Sequence, residues 1–220
     1  MLEKRKLIIY ISIAAAVIAL VTTAIVLIFA GRRRAAERKE PRVVSITIDA
    51  PPDIPLEEKE EIVYQTLIDA GFSPAGACGI MGNIAVESPD FDPSAINESS
   101  GALGLFQWND VGDRQQHFKD FCKEQKLNWN SIDSQLEFAI YELSGADPIA
   151  CRLDDFLKET DDAYTAAAEF TAGFERCITD SGKKTDTYTG GLYPEFYGNK
   201  YQGLSKRINK AMNYYERFSQ

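Results

Sequence analysis

Two apolar patterns divide the chain. Leu7 to Ala30 is a run of 24 consecutive positions without a charge. A bilayer core takes roughly 20 apolar residues as helix, so the run is long enough to span with some tilt. Lys4-Arg5-Lys6 and Arg32-Arg33-Arg34 sit on either side of it, as charges do at a membrane interface. A cleavable signal peptide has an apolar region of about 7–15 residues and a small-residue cleavage site. This run is longer and ends Phe29-Ala30-Gly31 before arginines. The pattern predicts an uncleaved signal anchor over residues 7–30, with residues 1–6 cytoplasmic. Flanking charge leaves the orientation open, because the C-terminal flank is at least as basic as the N-terminal one.

Beyond the anchor the pattern changes. Val43-Val44-Ser45-Ile46-Thr47-Ile48 is β-prone and predicts a short strand. Pro51-Pro52-Asp53-Ile54-Pro55 then breaks regular structure, which makes residues 31–55 a linker. From residue 56 to 220 apolar positions recur at helical spacing. A first helix runs from Leu56 to Ala70 and stops at Gly71. Ser73-Pro74 supplies an N-cap and a proline at the first helical position, starting a second helix that ends before Pro89. Residues 89–112, rich in Gly, Asn, Asp, Ser and Pro, read as loop with a small hairpin at Leu103–Trp108. Further helices are expected at 113–126, 133–144, 161–177 and 204–218. Ala163, Ala167, Phe170, Phe174 and Cys177 mark the apolar stripe of the helix at 161–177. The fold class is mainly α, a helical domain with a small β-hairpin region, preceded by one transmembrane helix.

Charge is segregated along this pattern. Residues 1–42 carry nine Lys/Arg and three Asp/Glu, a balance of +6, while the rest carries 15 basic and 30 acidic residues, a balance of −15. Nucleic-acid binding depends on clustered Lys/Arg, so an acidic body excludes that class. The four cysteines Cys78, Cys122, Cys151 and Cys177 form no Cys-x-x-Cys, and His117 is the sole histidine. Neither a metal site nor a cysteine–histidine peptidase is expected. An exported body predicts one or two disulfides, with three pairings open.

Ile80, Ile84 and Glu87 stand at i, i+4 and i+7, which puts Glu87 on an inward face in the last helical turn. Burial and the negative helix end both disfavour its ionised form. A carboxylic acid held protonated near neutral pH suits a general acid. The competing reading is a glutamate that reaches solvent or pairs with a neighbouring Lys or Arg.

The context of Glu87 weighs between them. Gly82-Asn83-Ile84, Glu87-Ser88, Phe91-Asp92-Pro93 and Asn97 are followed by Gly101-Ala102-Leu103-Gly104-Leu105-Phe106-Gln107-Trp108 and Arg114, with Phe174-Glu175-Arg176 later. In this order the motifs resemble the phage tail lysozyme family over roughly residues 57–218. That family belongs to a wider lysozyme-like group with goose-type lysozymes and soluble lytic transglycosylases. The resemblance implies an α+β lysozyme-like catalytic domain, with Glu87 as catalytic acid. The substrate implied is the β-1,4 bond between N-acetylmuramic acid and N-acetylglucosamine in peptidoglycan. Ser88, Asn97, Phe106, Gln107, Trp108 and Glu175 would meet the glycan strand, and no cofactor is implied.

Several assignments keep two readings. Trp108 is either a wall of the cleft or a core anchor. Glu175 either orients the helix of Glu87 or lines the cleft, or it pairs with Arg176 or another base. Glycoside hydrolysis usually uses a second carboxylate; Asp92 leads the candidates Asp90, Asp92, Glu98 and Asp110, all of which also suit turns. Without one, a lone glutamate can act as acid and then as base on the sugar's own 6-hydroxyl, giving a 1,6-anhydro product. The loop holding Tyr188, Tyr193, Phe196, Tyr197 and Tyr201 offers rings for sugar stacking, Tyr193 foremost, or a cover for the core. Peptidoglycan lies outside the membrane, so the substrate orients the anchor with the body extracytoplasmic. By analogy the partner is a secretion, conjugation or phage-related assembly.

Overall fold

The structure is a computed structural model that describes residues 54–220. The anchor over 7–30, the strand at Val43–Ile48 and most of the linker lie outside the described residues. All described residues belong to one unit of the chain, Ser45–Gln220. Among them, no helix is long and apolar enough to cross a membrane.

The domain is built from helices. They are α1 (Leu56–Asp69), α2 (Pro74–Glu87), α3 (Arg114–Gln125), α4 (Ile132–Tyr141), α5 (Asp154–Glu159), α6 (Ala163–Phe170) and α7 (Leu204–Phe218). α2 is the hub, packed against α7, α6, α1 and α5. Ser73 starts it: its Oγ accepts from Gly76 N at 2.9 Å and donates toward Thr160 O at 2.6 Å, tying the cap to the end of α5. The spacing of Ile80, Ile84 and Glu87 predicts one inward face. Instead every residue from Ala75 to Ala85 is buried, as a helix apolar on all sides must be. Each fully buried side chain such as Ile80, Met81 or Ile84 contributes about 1.5–3 kcal/mol.

Glycine lets the neighbours come close. A Cβ added to Gly82 would lie 2.5 Å from the Arg207 carbonyl oxygen and 2.7 Å from Ala211 Cβ, so α7 can approach only because position 82 lacks a side chain. α7 is amphipathic, and its buried face is Leu204, Arg207, Ile208, Ala211 and Tyr214. A charged residue therefore sits among apolar ones at the closest approach to α2.

Two expected helices end early. α4 stops at Tyr141 and α6 at Phe170, and each continues as a single widened π turn, Glu142–Ala146 and Thr171–Glu175. Gly145 (φ 133°) and Arg176 (φ 55°) then turn the chain out of the helix. Cys177 consequently lies beyond the helix rather than on it. Such turns insert one residue per helical turn and re-aim side chains, often at functional sites. Here they carry Glu142 and Glu175. α5 and the 3₁₀ turn before it (Ala150–Leu153) have no counterpart in the apolar pattern, being too short to show a period.

The hairpin is reduced to isolated antiparallel bridges, Ile96 with Leu103 and Leu103 with Trp108. Leu103 and Trp108 exchange both backbone hydrogen bonds at 3.0 Å. Left-handed Gly104 (φ 77°) and Gln107 (φ 48°) stop any extension. Leu105 N donates to Gln135 Oε1 at 2.7 Å, which fixes this turn against α4.

Candidate active site

Glu87 is the last residue of α2, where the buried hub reaches the surface. Its side chain is 19% exposed, and Arg207 Nη2 donates to its Oε1. The guanidinium is 2% exposed. It also donates to Asn83 Oδ1 at 3.3 Å and, through Nε, to Gln202 O at 3.2 Å. Asn83 is held in turn: its amide donates to Gly79 O and Ala167 O, and Thr171 Oγ1 donates to its Oδ1 at 2.8 Å. Asn83 and Arg207 behind Glu87 are thus tied to α2, α6, the π turn after it and the segment before α7.

The expected burial of Glu87 is corrected by this arrangement, since the residue is only half-buried. It is ion-paired, and Glu175 is half-buried as well, with one carboxyl oxygen enclosed. The π turn after α6 directs Glu175 inward, where its Oε1 is buried and has no hydrogen-bond partner. Burial pushes this carboxyl up to about 8; the nearby Glu87 adds to the shift, while Arg207 and Arg114 oppose it. The anticipated alternative, an ion pair with Arg176, does not form: Arg176 Nη2 donates to Asp147 Oδ2 at 2.6 Å. Cys177 adjoins the same groups, and burial pushes its thiol up to about 11.

A second ion pair closes the far side. Arg114 Nε and Nη2 donate to Glu142 Oε1 and Oε2 at 2.8 and 2.9 Å, and Nη1 donates to Phe174 O at 2.9 Å. Trp108 Nε1 donates to Glu142 Oε2 at 3.0 Å. Trp108 and Phe106 are 1% and 3% exposed and pack with Phe118, Phe138, Phe170 and Phe174. Trp108 is therefore a core anchor, and neither ring presents a face to a sugar. Gln107, whose Nε2 donates to Gly104 O at 2.9 Å, is half-buried.

The expected stacking by Tyr193 is corrected in the same way. Tyr188, Tyr193 and Tyr201 are fully buried, and the loop covers the core. Glu169 holds that loop: Tyr188 Oη donates to it, as do the Gly191 and Leu192 amides at 2.9 and 3.1 Å. Tyr197 alone of the loop tyrosines is well exposed, at 65%.

The loop after Glu87 is organised by its own polar groups. Ser88 Oγ accepts from Asp92 N at 2.9 Å, and Asp92 Oδ1 accepts from Ser94 N and Oγ at 2.8 and 2.7 Å. Asn97 Oδ1 accepts from Ser99 N and Oγ at 3.0 and 2.7 Å. Asp90, Glu98 and Asp110 are exposed. All four cysteines are free thiols, so the expected disulfides are absent; Cys78 and Cys122 are enclosed in the core. Among the described residues, no group of His, Cys, Asp and Glu is arranged to hold a metal ion.

Arg207, Asn83 and Glu142 complete the site and carried no assigned role in the sequence. Arg207 had a readable signal, a cation on the apolar stripe Leu204, Ile208, Ala211. Glu142 had none, because only the π turn aims it at Arg114.

A half-buried carboxylate paired with a buried guanidinium, with a second carboxyl that burial pushes toward its neutral form, is an arrangement suited to acid–base chemistry. The phage tail lysozyme family model matches residues 58–218, and the chain belongs to that family. Its activity is accordingly of the glycosidase type, directed at peptidoglycan. No curated protein matches the chain.

Proposed function

We propose that this chain is a membrane-anchored muramidase in which Glu87 is the general acid. Its target is the β-1,4 bond between N-acetylmuramic acid and N-acetylglucosamine. The observation that carries this reading is the placement of Glu87: a carboxyl at the open end of a rigid, buried helix, with Arg207 and Glu175 behind it. Such a group keeps its position when a glycan strand arrives, which preserves the short proton path that acid catalysis needs. Glu87 protonates the glycosidic oxygen as the bond to the muramic-acid C1 breaks. Ser88, Asn97, Gln107 and the backbone at Phe106 are the candidate contacts to the strand.

A second reading, lytic transglycosylation, draws support from Asp92. Its Oδ1 is engaged by Ser94, as expected of a turn former rather than of a base or nucleophile. Glu87 would then act alone, first as acid and afterwards as base on the sugar 6-hydroxyl, to leave 1,6-anhydro ends. Residues 7–30 serve as the anchor and residues 31–55 as the linker. The catalytic domain faces the wall, where a secretion, conjugation or phage-related apparatus is the partner.

The test is digestion of purified peptidoglycan by the full chain, with products read by mass spectrometry. Reducing ends identify a hydrolase and anhydro ends a transglycosylase. Glu87→Gln is expected to lower release at least a hundredfold. A Glu87→Gln chain as active as wild type overturns the assignment.

A further inference from the structure

One buried side chain ends on three separate segments of the chain. Gln135, on α4, is fully enclosed. Its Oε1 accepts from Leu105 N at 2.7 Å, and its Nε2 donates to Pro93 O at 2.7 Å and to Trp129 O at 2.9 Å. Both amide hydrogens and one oxygen lone pair are therefore engaged. These partners also fix which way the amide points. Turned about, its NH2 would meet the Leu105 N–H and its oxygen would meet two carbonyls. Gly104 leaves room for the group, since a Cβ there would lie 2.7 Å from Gln135 Nε2.

Two of the three segments lead to the candidate glycan contacts. Pro93 follows Asp92, whose N–H donates to Ser88 Oγ at 2.9 Å, and Ser88 is the neighbour of Glu87. Gly104 N donates to Ala95 O and Asn97 N to Ala102 O, each at 2.8 Å, which joins this loop to the turn at 104–107. The turn carries Gln107, whose Nε2 is held to Gly104 O. Gln135 clamps both stretches at once, the loop through its nitrogen and the turn through its oxygen. Glu87 is held differently, by Arg207, which is itself bonded to Asn83.

Resting on the reading of this domain as a glycan-cleaving enzyme, we infer that Gln135 is a positioning residue for substrate binding: it sets the spacing between the 93–97 loop and the 104–107 turn, and so decides how firmly the glycan strand is gripped. One amide bonded to both stretches removes their independent motion. The strand then meets walls that are already ordered, and binding has less of the protein left to order. These bonds hold before and after the strand arrives, so ground state and transition state gain from them alike. Such uniform binding appears in KM rather than in kcat.

The full chain is assayed on soluble, uncrosslinked peptidoglycan strands as wild type, Gln135→Glu and Gln135→Met. Glutamate keeps the shape and the acceptor for Leu105 N but turns an oxygen toward Pro93 O and Trp129 O. Methionine keeps the approximate volume and makes none of the three bonds. Both variants are expected to raise KM about tenfold, with kcat within about twofold of wild type. Destabilisation alone would act the other way, lowering the number of active molecules, and hence the apparent kcat, at constant KM. A KM equal to that of wild type in both variants overturns the inference, whatever happens to kcat.

Hydrogen exchange read by mass spectrometry decides the matter if neither variant folds. In the Glu87→Gln chain, added strands should slow exchange in peptides spanning 93–97 and 103–108 together. Slowing in neither, or in one alone, overturns the inference. A wild type that shows this joint protection but cleaves no strand ends the muramidase reading and leaves the clamp standing.

Discussion

Two arginines of the domain, Arg207 buried and Arg114 half-buried, make instructive opposites. Arg114 lies in a closed assembly: both oxygens of Glu142 are engaged, Trp108 adds a third donor, and Phe174 O takes the remaining guanidinium bond. Arg207 lies in an open one. Its partner Glu87 is partly exposed, and the neighbouring Glu175 keeps a buried oxygen unpartnered. A polar network with every group satisfied stiffens a core, whereas one with an unused acceptor keeps a group free to meet a ligand. The same residue types form a closed network in one case and, on the proposed reading, a site open to substrate in the other.

The sharpest way to break this contrast is to exchange the losses. Glu87→Gln should remove activity at least a hundredfold while shifting the denaturation midpoint little, since the amide oxygen can still accept from Arg207. Glu142→Ala should do the reverse first. It strands Arg114 in the core and should cost about 3–5 kcal/mol in chemical denaturation, with activity falling only as the fold is lost. Equal stability losses for the two variants would erase the distinction.

A smaller effect is expected where the open assembly is held together. Gly82→Ala drives a methyl against the Arg207 carbonyl and Ala211. It should cost about 1–3 kcal/mol and push α7 from α2, lowering kcat more than the stability loss explains. A variant with unaltered stability would mean that the close approach is not needed.

A further expected effect is one of pH. Between the ordinary glutamate value of 4.5 and about 8, folded Glu175 keeps a proton that the unfolded chain has released. Its contribution to stability is full below that window and is lost as pH rises through it. Thermal midpoints measured across the window should therefore fall less steeply for Glu175→Gln than for wild type. Parallel curves would show that Glu175 is not held protonated by the fold.

Much of the helical framework was legible from local signals. Ser73-Pro74, Gly71 and Pro89 marked the ends of α1 and α2 because caps and breakers act over a few residues. The stripe from Ala163 to Phe174 was read correctly as core, but the π turn inside it was not, since an inserted residue leaves no trace in an apolar period. That turn is what brings Glu175 inward. The aromatic positions Trp108, Tyr188 and Tyr193 read equally well as sugar platforms or as core, because a ring satisfies either environment. The fold buried them.

The chain's own pattern determined that residues 56–220 make a helical body, that Glu87 closes an apolar helix, and which motifs surround it. These are properties of spacing and composition, and they hold wherever the neighbouring segments lie. Which charged groups surround Glu87 was decided only by tertiary structure. A carboxyl responds to the charges within a few ångströms, and Arg207, 120 residues from Glu87 along the chain, reaches it only because α7 packs against a glycine of α2.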